Sequence, residues 1–212
     1  MLLAIESLVR ETLAADSSGH DWPHIDRVRK VALRIARVEG ADLFVVEAAA
    51  LLHDIADWKF HGGDDTRGPA IAAKTLRDLG ADETVCAHVA DIIARLSYKG
   101  AGVPTPMPTL EGACVQDADR LDAIGAIGVA RAFAYGGHKG RAMHDPSVPP
   151  ELHASFAAYK KNNGPTINHF YEKLLLLKDR MNTAAAKKIA AERHAFMEAF
   201  LDQFLAEWAS ER

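Results

Sequence analysis

The run Val45-Val46-Glu47-Ala48-Ala49-Ala50-Leu51-Leu52-His53-Asp54-Ile55 is rich in helix-forming residues and ends on an imidazole and a carboxylate. Adjacent side chains on a helix lie about 100° apart, so His53 and Asp54 straddle one edge and both reach a single point beside it. The nine residues before His53 are apolar apart from Glu47. An unpaired carboxylate is costly to bury beside such a face, and an ion held by the pair would remove that cost.

Helix is the expectation on both sides of this run. Alanine is abundant and β-branched alternation is nearly absent, which predicts an all-α fold. Apolar positions recur at helical spacing over residues 2–15, and Asp16-Ser17-Ser18-Gly19 ends that helix. Asp21 is the expected N-cap of the next, where Pro23 is tolerated because its missing N–H would have no partner in the first turn. That helix runs to about Val38 and stops at Gly40, and Asp42 caps the helix that carries His53 and Asp54. Residues 59–68 read as a Gly- and Asp-rich loop, followed by helices over 69–79 and 82–96, a Pro-rich connector over 100–108, and one helix over 110–135. Residues 136–166 read as irregular apart from a short helix at 151–160. A connection of that length in a compact domain is disordered or functional, lids being the common functional case. Helices over 167–178 and 183–209 close the chain, the last with Ile189, Phe196, Phe200, Phe204 and Trp208 along one face as a core or oligomer surface.

A chain of 212 residues with 49% hydrophobic composition can bury a sizeable core. It is expected to form one domain: a metal-site core over 18–135, a loop or lid over 136–166 and C-terminal helices over 167–212. The net charge of −4 and a pI near 6.2 argue against a general binder of nucleic-acid polymers or anionic membranes, whose footprint is basic. Cys86 and Cys114 are too few for a disulfide framework, so the chain reads as cytoplasmic with reduced thiols. The first eleven residues carry charge throughout and show no secretion signal. No run approaches the roughly 20 apolar residues that a membrane span needs.

Two further candidate ligands stand far from the His-Asp pair. One is His24, in His20-Asp21-Trp22-Pro23-His24-Ile25-Asp26-Arg27-Val28; the other is Asp119, in Gln116-Asp117-Ala118-Asp119-Arg120-Leu121-Asp122. Two imidazoles and two carboxylates make a mixed N/O set suited to Mn, Fe, Co, Ni or Mg, and thiolate-rich zinc binding is not indicated. The pattern His, then His-Asp, then Asp resembles the HD-domain metal-dependent phosphohydrolases. That resemblance implies an HD-domain helical bundle with a C-terminal helical extension, one divalent metal ion, and His24, His53, Asp54 and Asp119 as its ligands. Asp117 and Asp122 compete on the same segment; Asp122 shares a face with Asp119, whereas Asp117 points elsewhere. Relatives with two metals carry additional histidines between the His-Asp pair and the last Asp. Here only His61 and His88 lie in that interval, and Ser97 stands where a second-metal histidine would fall.

Asp57 lies one helical turn beyond the His-Asp pair on the same face. In similar enzymes an acidic residue at this offset holds or activates the nucleophilic water, which makes Asp57 the candidate general base. A merely structural Asp there would oppose the helix macrodipole. There is no Gly-x-x-x-x-Gly-Lys or Gly-x-Gly-x-x-Gly motif, so Arg and Lys side chains are left to hold phosphates. Arg27, three residues after His24 and facing the same way, is the candidate catalytic cation. Lys59, Lys99, Arg141, His169 and Lys173 are candidate substrate contacts; for the lysines and Arg141 a solvated surface position is the equal alternative. Tyr98, Phe133 and Tyr135 either stack on a base or belong to the core.

Residues 93–100, 117–131, 133–137, 168–174 and 181–183 resemble one bacterial branch of small HD proteins described as nucleoside triphosphate pyrophosphohydrolases or simply as uncharacterised phosphohydrolases. The expected reaction is therefore attack of metal-activated water on a nucleotide, releasing pyrophosphate from a nucleoside triphosphate. Nucleotide phosphatase or phosphodiesterase activity is the alternative. A ligand-binding HD module with little turnover is a second, which a missing ligand would favour. An iron oxygenase needs histidines that this chain does not supply. The expected partner is a small-molecule nucleotide, with no nucleic-acid polymer and no membrane; homodimerisation stays open.

Overall fold

A computed structural model describes residues 1–14, 21–56, 66–160 and 162–211. Asp57 and Lys59, together with His20 and His61, lie outside the described residues. Those described are largely helical and form no strand. The chain divides into two compact units, Met1–Tyr98 with Pro104–Asp119, and Lys99–Val103 with Arg120–Arg212.

The first unit is built around α3 (Leu43–Leu52). Its side chains Val45, Val46, Ala48, Ala49, Ala50, Leu51 and Leu52 are all buried, so the helix is apolar nearly all round and must be enclosed. It packs against α1 (Leu2–Thr12), α2 (Trp22–Glu39) and α5 (Glu83–Leu96). Each fully buried Leu or Val side chain contributes about 1.5–3 kcal/mol. α4 (Arg67–Asp78) pairs with α5, burying Ala72 and Leu76 on one helix and Cys86, Val89, Ile92 and Ile93 on the other.

The two expected N-caps and the Gly40 stop are present: Asp21 accepts the His24 N–H, Asp42 accepts those of Phe44 and Val45, and Gly40 ends α2 at φ 81°. Asp82 caps α5 in the same way, accepting the Thr84 N–H. Asp42 also donates its own N–H to Glu111 on α6 (Leu110–Asp122), tying the start of α6 to the start of α3.

The helix expected over 110–135 is broken in two, α6 and α7 (Gly125–His138). Ala123 and Ile124 bond back three residues to Arg120 and Leu121, and Ile124 is extended. Gly125 follows at φ 75°, with the Arg193 side chain 2.9 Å from where its Cβ would stand. At Gly128 a Cβ would lie 2.2 Å from the Ala123 carbonyl oxygen, so the chain can turn back on itself only because this residue has none.

The second unit packs α7, α9 (Thr166–Glu172), a 3₁₀-helix (Leu174–Arg180) and α10 (Ala184–Trp208). Phe133, Phe200 and Phe204, each half-buried, cluster with the fully buried Phe170 at ring-centroid distances of 5.8–6.2 Å, whereas Phe196 and Trp208 are exposed. The helix expected over 167–178 changes to 3₁₀ after Lys173, whose φ and ψ are −143° and −58°. Side chains three apart eclipse in a 3₁₀-helix, and this one buries Leu174 and Leu177 together. Within 136–166, α7 persists to His138 and the short helix, α8 (Phe156–Lys160), starts five residues later than expected. The remainder is tied to α9 through Thr166 N–H to Ala142 O, Ile167 N–H to Met143 O and Asn168 Nδ2 to Val148 O, at 2.8–2.9 Å.

Candidate metal centre

The Asp21 cap starts α2 so that His24 falls in its first turn with its side chain fully buried. His53 stands immediately after the last residue of α3, still in the right-handed helical region. Its Nδ1 lies 2.8 Å from the Ala50 carbonyl oxygen. A carbonyl only accepts, so Nδ1 carries the proton and Nε2 of the neutral ring presents a lone pair. This bond occupies the carbonyl that the Asp54 N–H would use in a continuing helix, and Ile55 N–H bonds back only three residues, to Leu52 O. α3 therefore ends at Leu52, and the His-Asp pair sits on the turn beyond it and not within the helix.

The four motif residues converge within the first unit. His24 Nε2 lies 3.2 Å from His53 Nε2, 3.4 Å from Asp54 Oδ2 and 3.6 Å from Asp119 Oδ1. His53 Nε2 lies 3.5 Å from Asp54 Oδ2 and 3.9 Å from Asp119 Oδ1. Ligand atoms bound at about 2.1 Å to one ion lie about 3 Å apart when adjacent and about 4 Å apart when opposite. His24, His53 and Asp119 offer ligand atoms all within 4.8 Å of one another, a set that fits a single divalent ion in size as well as in chemistry, and Asp54 Oδ2 stands beside both imidazoles. Both imidazoles are buried, while Asp119 is one-third exposed, leaving a wet side toward which an ion could keep open positions.

The competing acids are engaged elsewhere or enclosed. Asp122 Oδ2 accepts from Arg131 Nη1 at 2.8 Å within the second unit, and Asp117 is fully buried. His88 Nε2 is 3.0 Å from Thr109 Oγ1. Burial, reinforced by the Asp117, Glu39 and Glu111 carboxylates, pushes the Cys114 thiol up to about 12, so it supplies neither a thiolate ligand nor a nucleophile.

Arg27 is half-buried on α2 in the unit that holds the cluster. Lys99, Arg141, His169 and Lys173 belong to the second unit. There Lys99 Nζ lies 5.5 Å from the Phe156 ring and Lys173 Nζ 6.0 Å from the Tyr159 ring, which gathers both ammonium groups on α8. Arg141 donates to Asn162 O at 2.6 Å and lies over Tyr135. Of the candidate stacking rings, Phe133 is half-buried against Phe170 and Tyr98 is buried. Sequence reasoning missed Gln116, a fully buried amide one turn before Asp119 that donates to Arg95 O and Thr105 O and so ties α6 to the end of α5. An isolated Gln in a helical run carries no signal for such a role.

The HD domain family pattern matches residues 22–124, a span containing all four converging residues. YpgQ of Bacillus subtilis is 41% identical over 202 residues, covering 94% of this chain and 89% of that protein. The chain belongs to the HD superfamily of metal-dependent phosphohydrolases. A Bacillus thuringiensis protein described as an HD-superfamily hydrolase superposes on this HD protein with a TM-score of 0.75 at 45% identity, covering 98% and 96% of the two chains. A Lactobacillus plantarum protein superposes with a TM-score of 0.88 at 41% identity, over 99% and 97%. YpgQ has been crystallised with ADP, and that structure matches at a TM-score of 0.75 with 36% identity over 97% and 93%. No described helix is long and apolar enough to cross a membrane.

Proposed function

We propose that this HD protein hydrolyses a nucleotide at a single divalent metal ion held by His24, His53, Asp54 and Asp119, with a nucleoside triphosphate as substrate and pyrophosphate as product. The observation that carries the reading is that His24 Nε2 and His53 Nε2 lie 3.2 Å apart and that each lies within 3.4–3.9 Å of a carboxylate oxygen of Asp54 and of Asp119. The ADP held by YpgQ supports a nucleotide as the ligand class. When bound, a divalent ion supplies Lewis-acid polarisation of a phosphoryl oxygen and lowers the pKa of water, so no Ser or Cys nucleophile is needed.

The protein's own groups complete the reaction. The Ala50 carbonyl holds His53 with Nε2 directed at the other donors, and the fully buried setting of His24 excludes water from that side. Asp57 accepts the proton of the attacking water, and Arg27 balances charge on the phosphoryl oxygens. Lys59, Lys99, Arg141, His169 and Lys173 are the candidates for holding the remaining phosphates.

The test is a metal-stripped sample assayed with Mn, Mg, Co and Ni against nucleoside tri-, di- and monophosphates, with pyrophosphate and orthophosphate measured separately. Pyrophosphate with the matching monophosphate is expected. Orthophosphate alone would make the protein a phosphatase, and no turnover with stoichiometric metal would replace hydrolysis by nucleotide binding.

A further inference from the structure

We infer that Arg29 is a positioning residue for the metal centre, acting on His24 and His53 through the helices that carry them; the inference rests on their assignment as ligands. The Arg29 guanidinium gathers carboxylates from three helices. Nη1 is 2.9 Å from Glu6 Oε2 on α1 and 3.5 Å from Glu47 Oε1 on α3, and Nη2 is 2.9 Å from Asp26 Oδ1 on α2 itself. Its Nε is buried without a hydrogen-bond partner, a desolvation cost at that atom which a solvated surface arginine would not bear, while the side chain as a whole stays one-fifth exposed.

The placement of this clamp relative to the imidazoles is the substance of the inference. Arg29 follows His24 by five residues on α2, and Glu47 precedes His53 by six on α3. The offsets run in opposite directions along the two helices, as an antiparallel pair requires. At 1.5 Å of rise per residue they put the Arg29–Glu47 link about 7.5–9 Å from the two rings along the axes. Arg10 and Lys30 also hold Glu6 and Asp26, but Glu47 of α3 joins the network through Arg29. Trp22, two residues before His24, is covered by Arg10 Cζ at 3.9 Å and faces Arg29 Cζ at 5.9 Å, which packs the start of α2 against the same network. Packing of the buried faces sets how far α3 slides along α2, and the Arg29 link holds that slide and with it the 3.2 Å between the two Nε2 atoms. Without it, Glu6, Asp26 and Glu47 face one another with one fewer cation between them. Lysine keeps the charge but not the planar fork that reaches all three carboxylates.

The experiment compares metal-stripped wild type, Arg29→Gln, Arg29→Lys and, as a control, His53→Ala. Mn²⁺ affinity is read by calorimetry, coordination by the visible spectrum of the Co²⁺-loaded protein, and folding by circular dichroism. Groups hydrogen-bonded directly to a ligand change metal affinity by about 10–100-fold when replaced, and a residue acting through the helices should change it by less. Arg29→Gln is expected to fold, weaken Mn²⁺ binding by about 3–10-fold and alter the Co²⁺ bands, with Arg29→Lys between it and wild type. Wild-type affinity and Co²⁺ spectrum in the folded variants, with only a lower melting temperature, would overturn the inference and make Arg29 purely structural. If Arg29→Gln does not fold, Arg29→Lys carries the test on the same terms. Equal Mn²⁺ affinity in wild type and His53→Ala would instead remove the metal centre itself, and the role of Arg29 with it.

Discussion

His24 Nε2 and His53 Nε2 lie 3.2 Å apart although 29 residues of sequence separate them. The rings meet edge to face at 70°, with centroids 5.2 Å apart. Because the Ala50 carbonyl fixes the proton of neutral His53 on Nδ1, its Nε2 can only accept. Two lone pairs cannot face each other at this distance, so His24 donates from Nε2 unless a cation stands between the rings. Metal uptake therefore requires His24 to carry its proton on Nδ1, so that both Nε2 atoms present lone pairs.

His53→Ala and Asp54→Ala are each expected to abolish both metal binding and turnover, since each removes a donor from the converging set. Metal content by mass spectrometry and nucleotide hydrolysis check this. Metal-dependent activity surviving in either variant would eliminate the site.

Asp57→Asn is expected to leave close to one ion per chain while slowing hydrolysis by about 10²–10⁴-fold, the usual contribution of a positioned general base. Loss of the metal in this variant would make Asp57 a ligand.

Adding Mn²⁺ to stripped protein is expected to raise its melting temperature. An ion present at about a hundred times its Kd stabilises the folded form by about 2.7 kcal/mol, which for a chain of this size corresponds to roughly 5–10 °C. The His53→Ala variant should show no such shift in a parallel melt.

Acid should weaken the network around Trp22. Glu6 is held below its ordinary 4.5, chiefly by the Arg10 hydrogen bond. At Asp26 burial acts upward, but hydrogen bonds from Lys30 and Arg29 outweigh it and hold the group below 3.8. A carboxyl whose folded pKa is depressed stabilises the fold above its unfolded value, and that contribution is lost as pH falls through the folded one. The loss should fall below about pH 4.5. Glu6→Gln should therefore lose less melting temperature than wild type between about pH 5 and pH 3.

Gly128→Ala should destabilise the protein by about 2–4 kcal/mol, because the new methyl group meets backbone and not a side chain able to move. Gly125→Ala should cost less, about 1–2 kcal/mol for its left-handed conformation, with the flexible Arg193 side chain able to yield. Urea unfolding of both variants checks the order; a milder effect at Gly128 would contradict the tight turn between α6 and α7.

Helical character and most helix starts were legible in the chain, because both are decided within a few residues. Asp21, Asp42, Asp82 and Thr183 each accept an N–H two or three positions ahead, and Gly40 supplies a left-handed end to α2. The His, His-Asp, Asp pattern likewise singled out residues whose donor atoms come together in the fold. What was not legible depends on partners far away in sequence. Gly125 and Gly128 look like tolerated interruptions of one helix until Arg193 and the Ala123 carbonyl close against them. The end of α3 at Leu52 depends on which way the His53 ring turns.

The sequence by itself determined an all-α chain, the caps that start its helices and a small set of nitrogen and oxygen donors, because propensity, capping and side-chain chemistry are local properties. Only the tertiary structure decided that His24 and His53 each lie within 3.9 Å of both Asp54 and Asp119, that Asp122 turns to Arg131, and that Arg29 ties α1, α2 and α3 together. These depend on how far one helix slides against another, and that is set by the packing of buried faces.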